Sequence, residues 1–193
     1  ELQDAINRVR RGDDNVQVDI YDGSELGVLQ AGFNEMMRGL RERQRVRDIF
    51  GRYVGTEVAQ RALEERPELG GEDRKVAVLF IDVIGSTTFA VNHTPEEVVE
   101  ELNKFFEHVV EVVHRNKGII NKFQGDAALA IFGAPLNVYD ANSMALQAAR
   151  ELRQELRGLE LQAGIGVAAG HVVAGHIGGA DRFEYTVIGD AVN

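Results

Sequence analysis

The sequence contains no cysteine, which excludes disulfides and thiolate catalysis and fits a reducing compartment. It also lacks a long apolar run. No run of apolar side chains exceeds the length of Val76–Ile81, which falls far short of the roughly 20 residues a helix needs to cross a bilayer. Nor does the opening Glu1-Leu2-Gln3-Asp4 read as a secretory leader, having neither a basic region nor an apolar stretch. Positive charge is in deficit, with 21 Lys+Arg against 31 Asp+Glu and a net charge of −10. Nucleic acid is therefore an unsuitable general partner, because duplex binding is driven largely by phosphate neutralisation. An acidic chain that handles a polyphosphate needs metal ions or a local basic cluster.

What is present is the composition of a soluble globular protein, 44% hydrophobic and 27% charged over 193 residues. That length holds one ordinary domain plus a smaller module. The chain opens in what reads as mid-helix and stops after Gly189-Asp190-Ala191-Val192-Asn193 without a terminator, the pattern expected of a piece of something longer. Three stretches are expected: residues 1–46, a linker helix over 47–72, and a larger domain over 73–193.

In the first stretch Leu2, Ile6 and Val9 fall at helical spacing up to Gly12. An acidic extended stretch follows, Asp13 to Asp22, in which Val16, Val18 and Ile20 alternate. A second helix is expected after Asp22-Gly23-Ser24-Glu25. Its Leu26, Leu29, Phe33, Met36 and Leu40 step by three or four, as a coiled-coil seam does. Two short helices and a connector bury little by themselves, so partner helices are expected. Charged helix continues over 41–66 to Pro67, with Ile49, Phe50, Tyr53 and Val54 as an apolar patch. Arg38, Arg41, Arg43, Arg45 and Arg47 are interspersed with Glu42 and Asp48, which reads as a solvated helix face. Helix, connector, Ser24-Glu25-Leu26-Gly27 and Phe33-Asn34-Glu35-Met36-Met37 together resemble the second two-thirds of a HAMP domain. The resemblance implies a parallel four-helix bundle and a membrane-anchored parent, with this chain on the cytoplasmic side and the membrane reached only through an upstream segment.

From Lys75 the pattern becomes strands alternating with helices. Val76–Ile81 reads as a buried strand. Pro95 to Asn116 reads as an amphipathic helix with Val98, Leu102, Phe105, Val109 and Val112/Val113 on one face. Gly118–Phe123 and Ala127–Phe132 form a hairpin around Gln124-Gly125-Asp126, and Asp140–Leu156 a second helix. Three more strands are expected, Leu161–Ala169, Val172–Ile177 and Phe183–Ile188. The order β-α-β-β-α-β plus extra strands is that of a ferredoxin-like α+β sandwich, a fold that says little about function.

Two aspartates fall at strand ends. Asp82 is followed by Val83-Ile84-Gly85-Ser86-Thr87, and Asp126 sits in the hairpin turn. Either alone reads as well as a helix cap or a turn residue. Together, on elements that are neighbours in a ferredoxin-like sheet, they are a carboxylate pair for hard cations such as Mg²⁺. Gly85-Ser86-Thr87 precedes a helix and offers backbone N–H groups to phosphate, a weak signal by itself. Lys122, four residues before Asp126, is either a solvated edge residue or a donor to a purine ring nitrogen. His171 and His176 lie five apart, so they point to opposite faces, and Gly170–Gly179 reads as a surface hairpin. His93, His108 and His114 have no ligand spacing.

Phe80 to Thr87, Asn121 to Asp126 and Phe183 to Asn193, in that order, resemble class III nucleotidyl cyclases over roughly residues 73–193. Phe50-Gly51-Arg52-Tyr53-Val54 resembles the linker that joins HAMP to cyclase in bacterial, especially mycobacterial, members. The resemblance implies an adenylyl cyclase that converts ATP to cyclic AMP and pyrophosphate with two Mg²⁺ or Mn²⁺ ions per site. It assigns the metal ions to Asp82, Asp126 and the Val83 carbonyl, and the phosphates to the backbone at Gly85, Ser86 and Thr87. It assigns adenine to Lys122 and Thr186, the threonine being typical of subclass IIIb, and ribose and reacting phosphate to Asn193. It further implies a homodimer whose two active sites are shared between subunits. The family's transition-state arginine falls one helical turn past Asn193, so the chain as given is expected to be nearly inactive.

Overall fold

The computed structural model describes residues 2–21, 23–55, 58–60, 69–179 and 181–193; they fall into two units, Glu1–Tyr53 and Val54–Asn193. In the first unit helix α1 (Leu2–Arg10) carries Arg8 and Arg10 in its last turn, where cations suit the unpaired carbonyls. It stops at Gly12, φ 89°. Two N–H groups of the Arg8 guanidinium reach Asp13 Oδ2 at 3.0 and 2.7 Å. That hydrogen bond, with the Asn15 N–H, holds the Asp13 carboxyl below its ordinary range.

The acidic connector is not a strand. Val16 and Val18 are buried beside Ala5, Phe33 and Met37, but Ile20 is exposed, so the expected alternation ends at Val18. The reason is local: the Asn34 side chain accepts from Val18 N–H at 2.9 Å and donates to Val18 C=O at 2.7 Å. Asn34 thus stands in for a neighbouring strand.

Helix α2 runs Glu25–Val54 and buries Gly27, Gln30, Phe33 and Met37. Of the expected seam only Phe33 is buried; Leu26, Leu29, Met36 and Leu40 are 45–62% exposed. The helix serves its own connector with one face and leaves a second apolar face open. It does not run on to Pro67. Gly55, with φ 88°, ends it in the left-handed conformation that glycine adopts without strain. Residues 58–60 are helical again, and the stretch 61–68 lies outside the described residues.

The second unit is a five-stranded antiparallel sheet in the order β2-β3-β1-β4-β5. Its strands are β1 (Gly70–Ile84), β2 (Ile119–Gln124), β3 (Ala127–Phe132), β4 (Gln162–Gly179) and β5 (Arg182–Ile188). Helices α3 (Ser86–Asn92) and α4 (Pro95–Arg115) lie between β1 and β2, and α5 (Ala141–Glu155) between β3 and β4. The first four strands reproduce the expected ferredoxin-like order. α3 starts at Ser86, inside the Gly85-Ser86-Thr87 turn expected to precede a helix; its seven residues are too few for a helical period to declare its extent.

α4 begins with a capping box. Thr94 Oγ1 accepts from Glu97 N–H at 3.3 Å, Glu97 Oε2 accepts from Thr94 N–H at 2.8 Å, and Pro95 takes the first position. Its face of Phe105, Val109, Val112 and Val113 is fully buried, each side chain contributing about 1.5–3 kcal/mol. It packs with Ala145, Ala148 and Leu152 of α5 against Ala77, Leu79, Ile81 and Val83 of β1.

The two strands expected at 161–169 and 172–177 are one. β4 pairs with β1 without interruption from Gly70↔His176 to Ile84↔Gln162, so Gly170 sits in the ladder rather than breaking it. The expected hairpin over Gly170–Gly179 is absent; the turn comes between Gly179 and Arg182. His171 and His176 do fall on opposite faces of that strand. His171 Nδ1 lies 3.0 Å from Asp73 Oδ1, and His176 lies edge-on to Phe183 and Tyr185.

The face away from the helices is apolar at one end only. Val76, Val78, Ile119, Leu129, Ile131, Val172, Ala174 and Val187 form a second cluster, against which Tyr185, Ala191 and Val192 pack. Further along β1 the same face carries Phe80, Asp82 and Ile84, all exposed. The outer strands β2 and β5 nevertheless touch: Asn121 of β2 bonds Tyr185 and Thr186 of β5. The sheet therefore curls around the second cluster until its two outer strands meet.

Candidate active site

Asp82 stands two residues before the end of β1, opposite Ala127 of β3 and Gly164 of β4. Directly opposed residues share a face, and both neighbours here are small, so nothing on the flanking strands covers the carboxylate. Asp126 occupies the β2–β3 turn after Gly125, φ 66°. The two are joined through the backbone: Val83 N–H donates to the Asp126 carbonyl at 3.2 Å. The ladder thus brings the predicted carboxylates to one corner of the sheet. Among the described residues neither side chain has a hydrogen-bond or ion-pair partner, and no cluster of three or more His, Cys, Asp or Glu is poised around a metal. Two uncompensated carboxylates without a closed cage suit a hard cation that keeps waters and substrate oxygens in its shell.

Gly85 follows β1 at φ 75° and is the N-cap of α3. Ser86 is half-buried and Thr87 exposed; their N–H groups belong to the first helical turn, which has no intrahelical acceptors.

Lys122 and Thr186 meet where the sheet's edges touch. The ladder between β2 and β3 shifts register between Ile120 and Lys122, so Asn121 is bulged out of the pairing and turns toward β5. Its Nδ2 donates to the Tyr185 carbonyl at 2.7 Å. Its Oδ1 accepts from the Thr186 hydroxyl at 3.3 Å. Next to it, Lys122 Nζ pairs with Glu184 Oε1 at 2.7 Å. Thr186 is 8% exposed. Asn121 and Glu184 had no assigned role in the sequence; the only available signal was adjacency, one beside Lys122 and the other two residues before Thr186.

Asn193 is exposed at the end of the turn Asp190–Val192, its N–H donating to Asp190 C=O at 3.4 Å. Ala191 seats that turn over Gly170, where an added Cβ would lie 3.2 Å from the Ala191 Cβ.

A split β-α-β sandwich with two open carboxylates at one corner, and a donor and a hydroxyl where its edges meet, has the layout of a nucleotidyl cyclase catalytic domain. Residues 71–193 match the family described as adenylate and guanylate cyclase catalytic domain, and residues 1–42 match the HAMP domain. The chain belongs to the adenylate and guanylate cyclase family, its catalytic domain preceded by a HAMP domain. Two relatives from Mycobacterium tuberculosis (strain ATCC 25618 / H37Rv) are similar along its length. Uncharacterized protein Rv1320c is 54% identical over 194 residues, covering 100% of this chain and 34% of that protein. Uncharacterized protein Rv1319c is 56% identical over 191 residues, 98% of this chain and 36% of that protein. The chain thus spans about a third of the length of the curated relatives it matches. Among solved structures, the guanylyl cyclase Cya2 is 36% identical with a TM-score of 0.55, covering 64% of this chain and 68% of that one. The adenylyl cyclase CyaB from P. aeruginosa is 27% identical with a TM-score of 0.54, covering 64% and 70%. The two names differ in the base, so similarity leaves base preference to this chain's own residues. The family works on nucleoside triphosphates with divalent metal ions, as dimers.

Proposed function

We propose that this chain is the HAMP and catalytic portion of an adenylyl cyclase of the IIIb-like kind, converting ATP to 3′,5′-cyclic AMP and pyrophosphate. The observation that carries the base assignment is the meeting of β2 and β5, which makes Lys122 and Thr186 neighbours. An ammonium supplies a donor for the ring nitrogen of adenine, and a hydroxyl supplies an acceptor for its 6-amino group.

Asp82, Asp126 and the Val83 carbonyl are the residues that would hold two Mg²⁺ or Mn²⁺ ions. Such ions, when bound, polarise the α-phosphate and acidify the attacking hydroxyl. The chain's own contribution is position. Backbone N–H groups at Gly85, Ser86 and Thr87 face the phosphates, and Asn193 orients the ribose so that its 3′-oxygen lies in line with the α-phosphorus. In the reaction the O3′–Pα bond forms, the bond from Pα to the β-bridging oxygen breaks, and the 3′ proton leaves to solvent.

The active site is shared across a homodimer, with Asp82 and Asp126 from one subunit and Lys122, Thr186 and Asn193 from the other. Exposed Phe80 and Ile84 beside Asp82 support this reading, being the apolar rim a partner surface would cover. The open seam Leu26, Leu29, Met36 and Leu40 supports a HAMP dimer that relays a signal through a linker over 47–72, in a protein anchored to the membrane upstream. No helix among the described residues is long and apolar enough to cross a membrane.

The test is cyclic nucleotide production by the full-length protein given ATP or GTP with Mn²⁺. Cyclic AMP from ATP alone supports the assignment; cyclic GMP, or no product from either, refutes it. Removal of residues 1–46 must change rate or regulation if HAMP acts as a relay.

A further inference from the structure

We propose that Asn121 sets the base preference of the site by fixing which way the Thr186 hydroxyl faces. The inference rests on the reading that Lys122 and Thr186 meet the base, and adds the residue that makes that pair selective.

Lys122 discriminates poorly by itself. Its ammonium carries three donors and no acceptor, and adenine offers N1 while a 6-oxo purine offers O6, so either base can satisfy it. Discrimination then falls on Thr186. A hydroxyl is ambivalent, since it can accept from a 6-amino group or, after rotation, donate to a 6-oxo group. Only a hydroxyl whose proton is committed elsewhere tells the two apart.

The contacts at the β2 bulge commit it. The Tyr185 carbonyl, a pure acceptor, receives the Asn121 Nδ2 hydrogen at 2.7 Å. The flipped amide would set two carbonyl oxygens against each other, so Nδ2 is fixed toward Tyr185 and Oδ1 toward Thr186. Oδ1 is also a pure acceptor, hence the Thr186 hydroxyl donates to it, at 3.3 Å. A threonine hydroxyl has one proton. With that proton spent on Asn121, Oγ1 can only accept. Adenine's 6-amino group finds its acceptor, whereas a 6-oxo purine meets lone pairs with lone pairs. Polarity is passed along a chain, from backbone carbonyl to amide to hydroxyl to base. Thr186 is 8% exposed, so water compensates a mismatch little. The bulge makes the relay possible: within a regular ladder Asn121 could not turn toward β5.

The test compares ATP with ITP, which differs from ATP in carrying a 6-oxo group and lacks the 2-amino group of GTP. The ratio of kcat/KM for the two, read on one preparation of the full-length protein with Mn²⁺, is independent of the fraction that is folded and active. Asn121→Ala frees the hydroxyl to rotate, and the ATP:ITP ratio is expected to fall about tenfold or more, the scale of one mismatched buried polar group. Thr186→Val removes the hydroxyl and is expected to lower the ratio too. In that background Asn121→Ala should change it no further, because Asn121 acts only through Thr186. An Asn121→Ala enzyme that loses ATP and ITP turnover equally refutes the inference, since Asn121 would then be merely structural. If Thr186→Val lowers the ratio while Asn121→Ala leaves it intact, the relay fails and the base-reading pair stands. If neither variant moves the ratio, the assignment of Thr186 to the base fails as well.

Discussion

Gly118 joins α4 to the strand that carries Asn121 and Lys122, and it has no room for a methyl group. A Cβ built there would lie 2.5, 2.6 and 2.9 Å from Cε1, Cζ and Cδ1 of Phe132, where carbon atoms normally rest about 3.5–4.0 Å apart. Phe132 is fully buried in the main core and cannot swing away without displacing its neighbours. Gly118→Ala is therefore an overpacking substitution, expected to cost about 1–3 kcal/mol. For a chain of this size that lowers Tm by roughly 2–12 °C. The cause can be isolated. Phe132→Leu deletes the ring atoms in conflict and is itself destabilising, because it leaves a void. Combined with Gly118→Ala, the void receives the methyl group, and the double variant should be less destabilised than the sum of the singles by about 0.5–3 kcal/mol. Thermal unfolding followed by far-UV circular dichroism reads all four proteins. Strict additivity, or a Tm unmoved by Gly118→Ala, refutes the steric argument.

Mixing Asp82→Ala subunits with Lys122→Ala subunits should regenerate one intact site per mixed dimer, up to about a quarter of the wild-type rate for random twofold pairing; no recovery in a cyclase assay counts against shared sites. Thr94→Ala removes the capping box of α4 and should cost about 0.5–2 kcal/mol, read as a lower Tm. The Glu151 carboxyl is held below its ordinary pKa of 4.5 by hydrogen bonds from Gln147 and Asn116 and by the nearby Arg115. A carboxylate with a depressed folded pKa contributes stability in full above its unfolded value and loses it as pH falls through the folded one. Thus Glu151→Gln should lower Tm at neutral pH and flatten its decline below about pH 4.5; an acid limb identical to wild type would show that Glu151 carries none of it.

Much of the fold was legible because its signals are local. The α4 face of Phe105, Val109 and Val112 declares a helix by spacing, and Gly125-Asp126 declares a hairpin between two apolar runs. What was not legible depends on pairing across the chain. Gly170 looks like a strand breaker in sequence, yet it lies opposite Val76 in an unbroken ladder, and its missing side chain makes room for Ala191. The spacing of the α2 seam predicts one stripe, whereas Asn34 recruits the connector to one side of the helix and leaves the rest of the stripe open. At the site, Asp82 and Asp126 could be paired from the strand order. The partners of Lys122 and Thr186 could not, because β2 and β5 are the outer strands of the sheet and only its curl brings them together.

That curl ties the two halves of the site to different physical demands. Asp82 needs an open corner, and the ladder supplies one by placing Ala127 and Gly164 on either side of it. The end proposed to read the base, at Lys122 and Thr186, needs the reverse, a buried and polarised environment in which one hydrogen bond carries weight. It gains this by bending β4 and β5 over Val76, Val172 and Val187 until β5 reaches the bulge at Asn121. Gly175 lets β4 lie close against β1 beside that contact, since a side chain there would sit 2.1 Å from the Gly70 carbonyl oxygen and 2.5 Å from the Gly71 Cα. Those atoms are backbone and cannot rotate out of the way, so any Cβ at 175 must push β1 and β4 apart. Because Gly175 pairs directly with Thr186, the displacement passes to the hydroxyl that we propose faces the base. Gly175→Ala should then lower the ATP:ITP selectivity of the full-length protein as well as its Tm. A loss of Tm with selectivity intact would mean that β5 keeps its hold on Asn121 independently of how closely β4 packs on β1.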